Sequence, residues 1–120
     1  MYQRLIIIGS LGRDPEMRYT VDGKPVTSFS VAVSDRKDET MWVRVSTWNK
    51  LAETCNQYLH KGSKVLVEGR LNQDKNTGAP KVFQKKDGSW GASYEVFADT
   101  VRFLNDSGKS DDAPDDDVPF

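Results

Sequence analysis

Trp42, Arg44, Ser46 and Trp48 alternate with Met41, Val43, Val45 and Thr47, so a strand through this run sends the first set to one face and the second to the other. The Met, Val, Val and Thr face belongs in a core. Two indoles beside a guanidinium on the opposite face waste burial unless a ligand or another surface covers them. Indole faces stack on planar rings and a guanidinium holds an anion, which together suit the bases and phosphates of an unpaired nucleic-acid strand. Core packing is the commoner role of tryptophan in small domains, but the shared face with Arg44 and Ser46 favours stacking here.

The other reactive side chains point away from catalysis. Cys55 and His60 are the sole cysteine and histidine, which excludes an internal disulfide and a zinc cluster. On a helical segment Cys55 and Tyr58 read as packing residues, and His60 as a solvated group near the helix end. Asp14 and Glu16 flank Pro15 and read as turn and helix-start chemistry rather than paired metal ligands. Gly9 and Gly12 lack the spacing and following helix of a phosphate-cradling loop. No nucleophile-base pair is visible, so the expectation is a protein without enzymatic activity, metal or cofactor.

Period and punctuation place these residues on elements. Leu5-Ile6-Ile7-Ile8 is an apolar run without alternation, which predicts a strand covered on both faces and closed by the Gly9-Ser10-Leu11-Gly12 breaker. Phe29, Val31 and Val33 alternate with small polar residues over Val26–Ser34, a second strand, and residues 35–40 turn the chain into the Met41–Trp48 strand. Leu51, Cys55, Tyr58 and Leu59 then fall at helical spacing, with Asn49 as the expected N-cap and Lys61-Gly62 as the stop. Val65, Val67 and Leu71 define a fourth strand in which Gly69 suits a sharp barrel bend. Asn76-Thr-Gly78 and Asp87-Gly88 stand around the short run Lys81–Lys85, so residues 74–92 read as a projecting hairpin, and Tyr94–Leu104 forms a fifth strand. Three strands, one helix and two strands make an all-β fold with one helix, the order of the OB-fold five-stranded barrel, whose strand 2–3 face and long loops meet nucleic acid.

The chain has 120 residues and a net charge of −1, but the charge is unevenly divided. Residues 1–105 carry 16 Lys/Arg against 12 Asp/Glu, and residues 106–120 carry Lys109 against six Asp. A folded domain over 1–105 is therefore expected to bear a disordered acidic tail over 106–120, too poor in apolar groups to offset chain entropy. A tail serving solubility alone need not end in Val118-Pro119-Phe120 behind three aspartates, and this tip looks like a docking motif. No apolar run approaches a membrane span or a leader peptide, so a cytoplasmic protein is expected.

Four stretches resemble the bacterial-type single-stranded DNA-binding protein family: Ile8-Gly-Ser-Leu-Gly-Arg-Asp-Pro-Glu-Met-Arg-Tyr-Thr20, Trp42-Val-Arg-Val45, Lys50-Leu-Ala-Glu53 with Tyr58-Leu-His-Lys-Gly-Ser63, and Asp115-Asp-Asp-Val-Pro-Phe120. The resemblance covers essentially the whole chain. It implies a nucleoid-associated homotetramer, with a dimer as the alternative, that coats single-stranded DNA without regard to sequence in replication, recombination and repair. It also implies recruitment of replication and repair proteins through Asp115, Asp116, Asp117, Val118, Pro119 and Phe120. By position, Trp42 and Trp48 match stacking residues, and Arg4, Arg18, Arg44 and Lys50 match basic residues beside the strand. The hairpin aromatics Phe83 and Trp90 are further candidates for DNA binding. Two departures stand out: residues 35–39 read Asp-Arg-Lys-Asp-Glu where the family usually offers an aromatic, and Val43 replaces a polar residue near the subunit contact. A primosome-type OB protein or an OB-fold RNA chaperone is the alternative reading, the latter distinguished by competition between DNA and RNA strands.

Overall fold

A computed structural model describes residues 1–36 and 39–104, with only the backbone described at Asp35. The expectations for the 106–120 tail and its tip lie outside the described residues, as do residues 37 and 38 of the turn. Eight strands and one helix follow in the order β1 (Leu5–Leu11), β2 (Glu16–Tyr19), β3 (Pro25–Arg36), β4 (Glu39–Trp48), α1 (Asn49–Tyr58), β5 (Lys64–Leu71), β6 (Val82–Gln84), β7 (Trp90–Ala92) and β8 (Tyr94–Leu104). Five of them close a barrel: β1 pairs β5, β5 pairs β8, β8 runs parallel to β4, β4 pairs β3, and β3 returns to β1 through Ser10↔Ala32 and Leu11↔Val31. The expected OB barrel is present, with β2 added at the edge of β3 and the β6–β7 ribbon as the projecting hairpin.

The alternation read from the sequence builds the core. Phe29, Val31, Val43, Val45, Val65, Val67 and Val96 point inward and are buried, joined by Ile7, Leu11 and Ala98. Ala52 and Cys55 of α1, with Leu59 just past its end, are buried against the barrel, and two buried threonines tie the helix down. Thr27 Oγ1 donates to Ala52 O at 2.7 Å, and Thr47 Oγ1 donates to Thr27 O at 3.0 Å. Each hydroxyl thus has an acceptor in a place where an unpaired one would be costly.

Two glycines mark where strands crowd. A side chain on Gly9 would run into Ala32 O, and one on Gly69 would run into Phe97 O. Gly69 lies at the register irregularity of the β5–β8 ladder, as expected of a barrel bend. Gly9 corrects the sequence reading: β1 runs on through Gly9-Ser10-Leu11, because the glycine admits β3 rather than ending the strand.

Four further expectations are corrected. Asn49 is the first residue of α1, in the left-handed region at φ 58°, while Trp48 occupies the N-cap position without a side-chain cap bond. Asparagine tolerates that conformation better than most side chains, so it serves the strand-to-helix corner rather than the cap. Glu16 opens a strand rather than a helix, and Asp14 accepts from Lys61 N–H at 2.8 Å. Met41 is exposed instead of lying in the core. Ile6 is 57% exposed, so β1 is not covered on both faces by its own chain.

Candidate nucleic-acid interface

Directly paired residues in a sheet share a face, so the ladders assemble the outer surface of β3, β4 and β8 row by row. Ala32 pairs Trp42, Ser30 pairs Arg44 with Glu95 beyond it, Ser28 pairs Ser46 with Phe97 beyond it, and Val26 pairs Trp48. On the far side, Arg18 pairs Val26, which carries the last row out to β2. Trp42, Arg44, Trp48 and Arg18 therefore lie on one continuous face, and Lys50 stands exposed two residues beyond Trp48, on α1.

Trp42 is 54% exposed and yet held. A Cβ on Gly12 would meet indole Cζ3 at 2.6 Å and Cη2 at 2.7 Å, so the ring rests where only glycine leaves room. Clefts open around it. One of about 270 Å³ is lined by Gly12, Arg13, Ser30 and Trp42, and one of about 330 Å³ by Ser30, Trp42, Val43, Arg44, Phe83, Ser93 and Glu95. The second is walled by an indole and a phenyl ring contributed by different elements, with a guanidinium at its side. An unstacked base needs a planar wall and a nearby cation, and both are supplied.

Trp48 is placed differently. Its ring meets Phe97 edge-to-face, with centroids 4.8 Å apart and planes at 83°, and it is half-buried. Phe97 was not singled out in the sequence. Val96 and Ala98 in the core put it outward by period 2, but only the parallel β4–β8 pairing brings it beside Trp48.

The hairpin aromatics separate. Phe83 pairs Gly91 and its ring crowds that glycine, while Trp90 pairs Gln84 on the ribbon's opposite face and is 67% exposed. Phe83 joins the Trp42 cleft and Trp90 does not line it. Arg4 also stands apart: its Nε donates to Glu68 at 2.8 Å and its terminal nitrogens reach Asp99 at 3.3 and 3.4 Å. The hydrogen bond to Glu68, with the charge of Asp99, pushes the guanidinium pKa above its ordinary value.

Among the described residues no cluster of three or more His, Cys, Asp or Glu stands ready for a metal, and no helix is long and apolar enough to cross a membrane. The family model for the single-strand binding protein family matches residues 2–104. The chain belongs to that family. Among curated relatives, the single-stranded DNA-binding protein of Neisseria meningitidis serogroup B is 38% identical over 109 residues, 84% of this chain and 59% of the relative. That of Thermotoga maritima is 38% identical over 112 residues, covering 87% of this chain and 74% of the relative. The single-stranded DNA-binding protein 1 of Chlorobaculum tepidum is 40% identical over 90 residues, 65% of this chain and 56% of the relative. The chain thus spans about three-fifths of the length of the Neisseria relative. Family membership accords with the barrel and with the Trp42 face built above.

Proposed function

We propose that this protein binds single-stranded DNA without regard to sequence, coating and protecting strands exposed in replication, recombination and repair. One observation carries the reading: Trp42 is anchored on Gly12 yet largely exposed, and it divides an Arg13-flanked cleft from one flanked by Arg44 and Phe83. Bases stack on Trp42, Phe83 and the accessible part of Trp48, while Arg13, Arg18 and Lys50 follow the phosphates and Arg44 stands beside the bases in the Trp42–Phe83 cleft. Each stacked base contributes about 1–3 kcal/mol and tolerates any base, because every base has a π-face.

Self-association is part of the proposal. β1 pairs β5 along Leu5–Ser10 but meets β3 only at Ser10 and Leu11, which leaves the other edge of residues 5–9 without a partner among the described residues. With Ile6 exposed beside that edge, a second β1 across a two-fold axis satisfies backbone groups and apolar area together. A homotetramer built on such pairs is the proposed assembly. Residues 1–105 form the DNA-binding unit, and residues 115–120 at the tip of the acidic segment dock replication and repair proteins.

Titration of tryptophan fluorescence with oligo-dT of graded lengths, with mass from light scattering, tests both parts. Saturable quenching by single strands and not by duplex supports the function. Equal quenching by duplex, or none, overturns it.

A further inference from the structure

The proposed strand-binding face carries a carboxylate where cations would serve phosphates better. Glu95 stands in one cross-strand row with Ser30 and Arg44, and with Trp42, Phe83 and Ser93 these residues line the cleft of about 330 Å³. Asn72 grips Glu95 twice: its backbone N–H donates to Glu95 O at 2.8 Å, and its side-chain Nδ2 donates to Oε1 at 3.0 Å. The ion pairs among the described residues belong to Arg4, with Glu68 and Asp99, and none involves Glu95. Among the described residues the carboxylate is thus positioned without a cationic partner, and Oε2 together with the second lone pair of Oε1 is open to donors from a ligand.

Such a group opposes phosphate by Coulomb repulsion and contributes only by accepting hydrogen bonds from a base edge. The slot offers acceptors from Glu95 beside donors from Arg44. Thymine presents a single N3–H between two carbonyl oxygens, and adenine and cytosine each present one amino group next to a ring-nitrogen acceptor. Guanine alone presents two adjacent donors, N1–H and N2–H₂, next to an acceptor, O6. That edge matches a carboxylate and a guanidinium standing in one row.

We infer that the slot between Trp42 and Phe83 is a base-reading subsite for guanine, with Glu95 accepting from N1–H and N2–H₂ and Arg44 donating to O6. The inference rests on the proposed single-strand function and adds one biased position to an otherwise indifferent surface. Stacking still admits every base there, so the bias changes affinity without creating a sequence requirement.

The test measures affinity for an oligo-dT strand carrying one central dG, against the same strand carrying deoxyinosine, which lacks the N2 amino group, and against unmodified oligo-dT. The parent protein should prefer dG over deoxyinosine about fivefold, the low end of what a paired base contact gives at an exposed site. Glu95→Gln should reduce the preference below about twofold and tighten binding of unmodified oligo-dT, since one negative charge that repels phosphate is gone. Equal affinity for dG and deoxyinosine in the parent, or a preference that survives Glu95→Gln, overturns the inference while the single-strand reading stands. Failure to bind oligo-dT at all overturns both.

Discussion

The Trp42 indole occupies the space that a side chain on Gly12 would need, with Cζ3 and Cη2 at 2.6 and 2.7 Å from the position of the missing Cβ. An exposed aromatic ring normally loses rotamer freedom when a ligand stacks on it. A ring seated on backbone has lost part of that freedom already, so less of the stacking energy is spent on ordering it. Gly12 has an ordinary negative-φ backbone, so its glycine requirement is the close approach of the ring rather than a turn.

Gly12→Ala should therefore shift the indole without unfolding the barrel. Strand affinity should fall by about 1 kcal/mol, toward the loss from Trp42→Ala, which should itself be about 1–3 kcal/mol. Fluorescence titration with oligo-dT measures both, and circular dichroism checks the fold. Parent-like affinity in Gly12→Ala would show that the seat of the ring does not matter.

Trp48→Ala should behave differently from Trp42→Ala, because Trp48 packs edge-to-face on Phe97. Loss of that pair should lower folding stability by about 1 kcal/mol beyond the effect of lost burial, while Trp42→Ala should leave stability nearly unchanged. Urea unfolding of the two variants separates the roles. Equal midpoints would contradict the division between a structural and an exposed indole.

These contrasts mark how far the sequence could be read. Alternation at Met41–Trp48, helical spacing at Leu51–Leu59 and the bend at Gly69 exposed the barrel, because burial on one face leaves a local period. The partners of the outer face left no such trace. Phe97 reaches Trp48 through a parallel pairing across nearly 50 residues, and Arg4, just before β1, reaches Glu68 of β5 and Asp99 of β8. Asn49 looked like a cap because asparagine favours both caps and left-handed corners, and the type alone cannot separate them. Phe83 and Trp90 were equivalent candidates until the ribbon register put them on opposite faces.

Cys55 gives a pH prediction. Its side chain is fully buried, and desolvation raises the thiol pKa from 9.0 to about 11, with a smaller opposing effect of Thr47. The folded pKa exceeds the unfolded one, so the contribution to stability is complete below pH 9 and is lost as pH rises from 9 to 11, to the extent of about 3 kcal/mol at most. Other groups titrate in this window, so the measurement is the difference in unfolding free energy between the parent and Cys55→Ala. That difference should shrink across the window, and a constant difference would contradict the assignment.

Ile6→Lys should weaken self-association by at least an order of magnitude in dissociation constant, because a two-fold contact through β1 places the new charge near its own symmetry mate. Sedimentation velocity at micromolar concentration should show smaller species than the parent. An unchanged assembly would place the subunit contact elsewhere.

Removing residues 115–120 should leave affinity for oligo-dT unchanged or slightly higher at low salt, since three aspartates that repel phosphate are lost. Affinity of both forms should fall with salt at a log-log slope of about −0.7 per phosphate contact, leaving a salt-resistant part from stacking. Capture of replication and repair proteins should be lost. Weaker DNA binding after truncation would assign the segment another role.

The central claim, that a single strand lies across the β3–β4–β8 face with bases on Trp42 and Phe83, is tested most directly by photocrosslinking. An oligo-dT strand carrying 5-iodouracil couples on near-ultraviolet excitation to aromatic rings in stacking contact, and mass spectrometry of the digested adduct reads the site. The account predicts adducts at Trp42 and Phe83, a weaker one at Trp48, and their loss with excess unlabelled oligo-dT. Adducts concentrated at Tyr2, Tyr58 or Phe103, with none at Trp42, would contradict it.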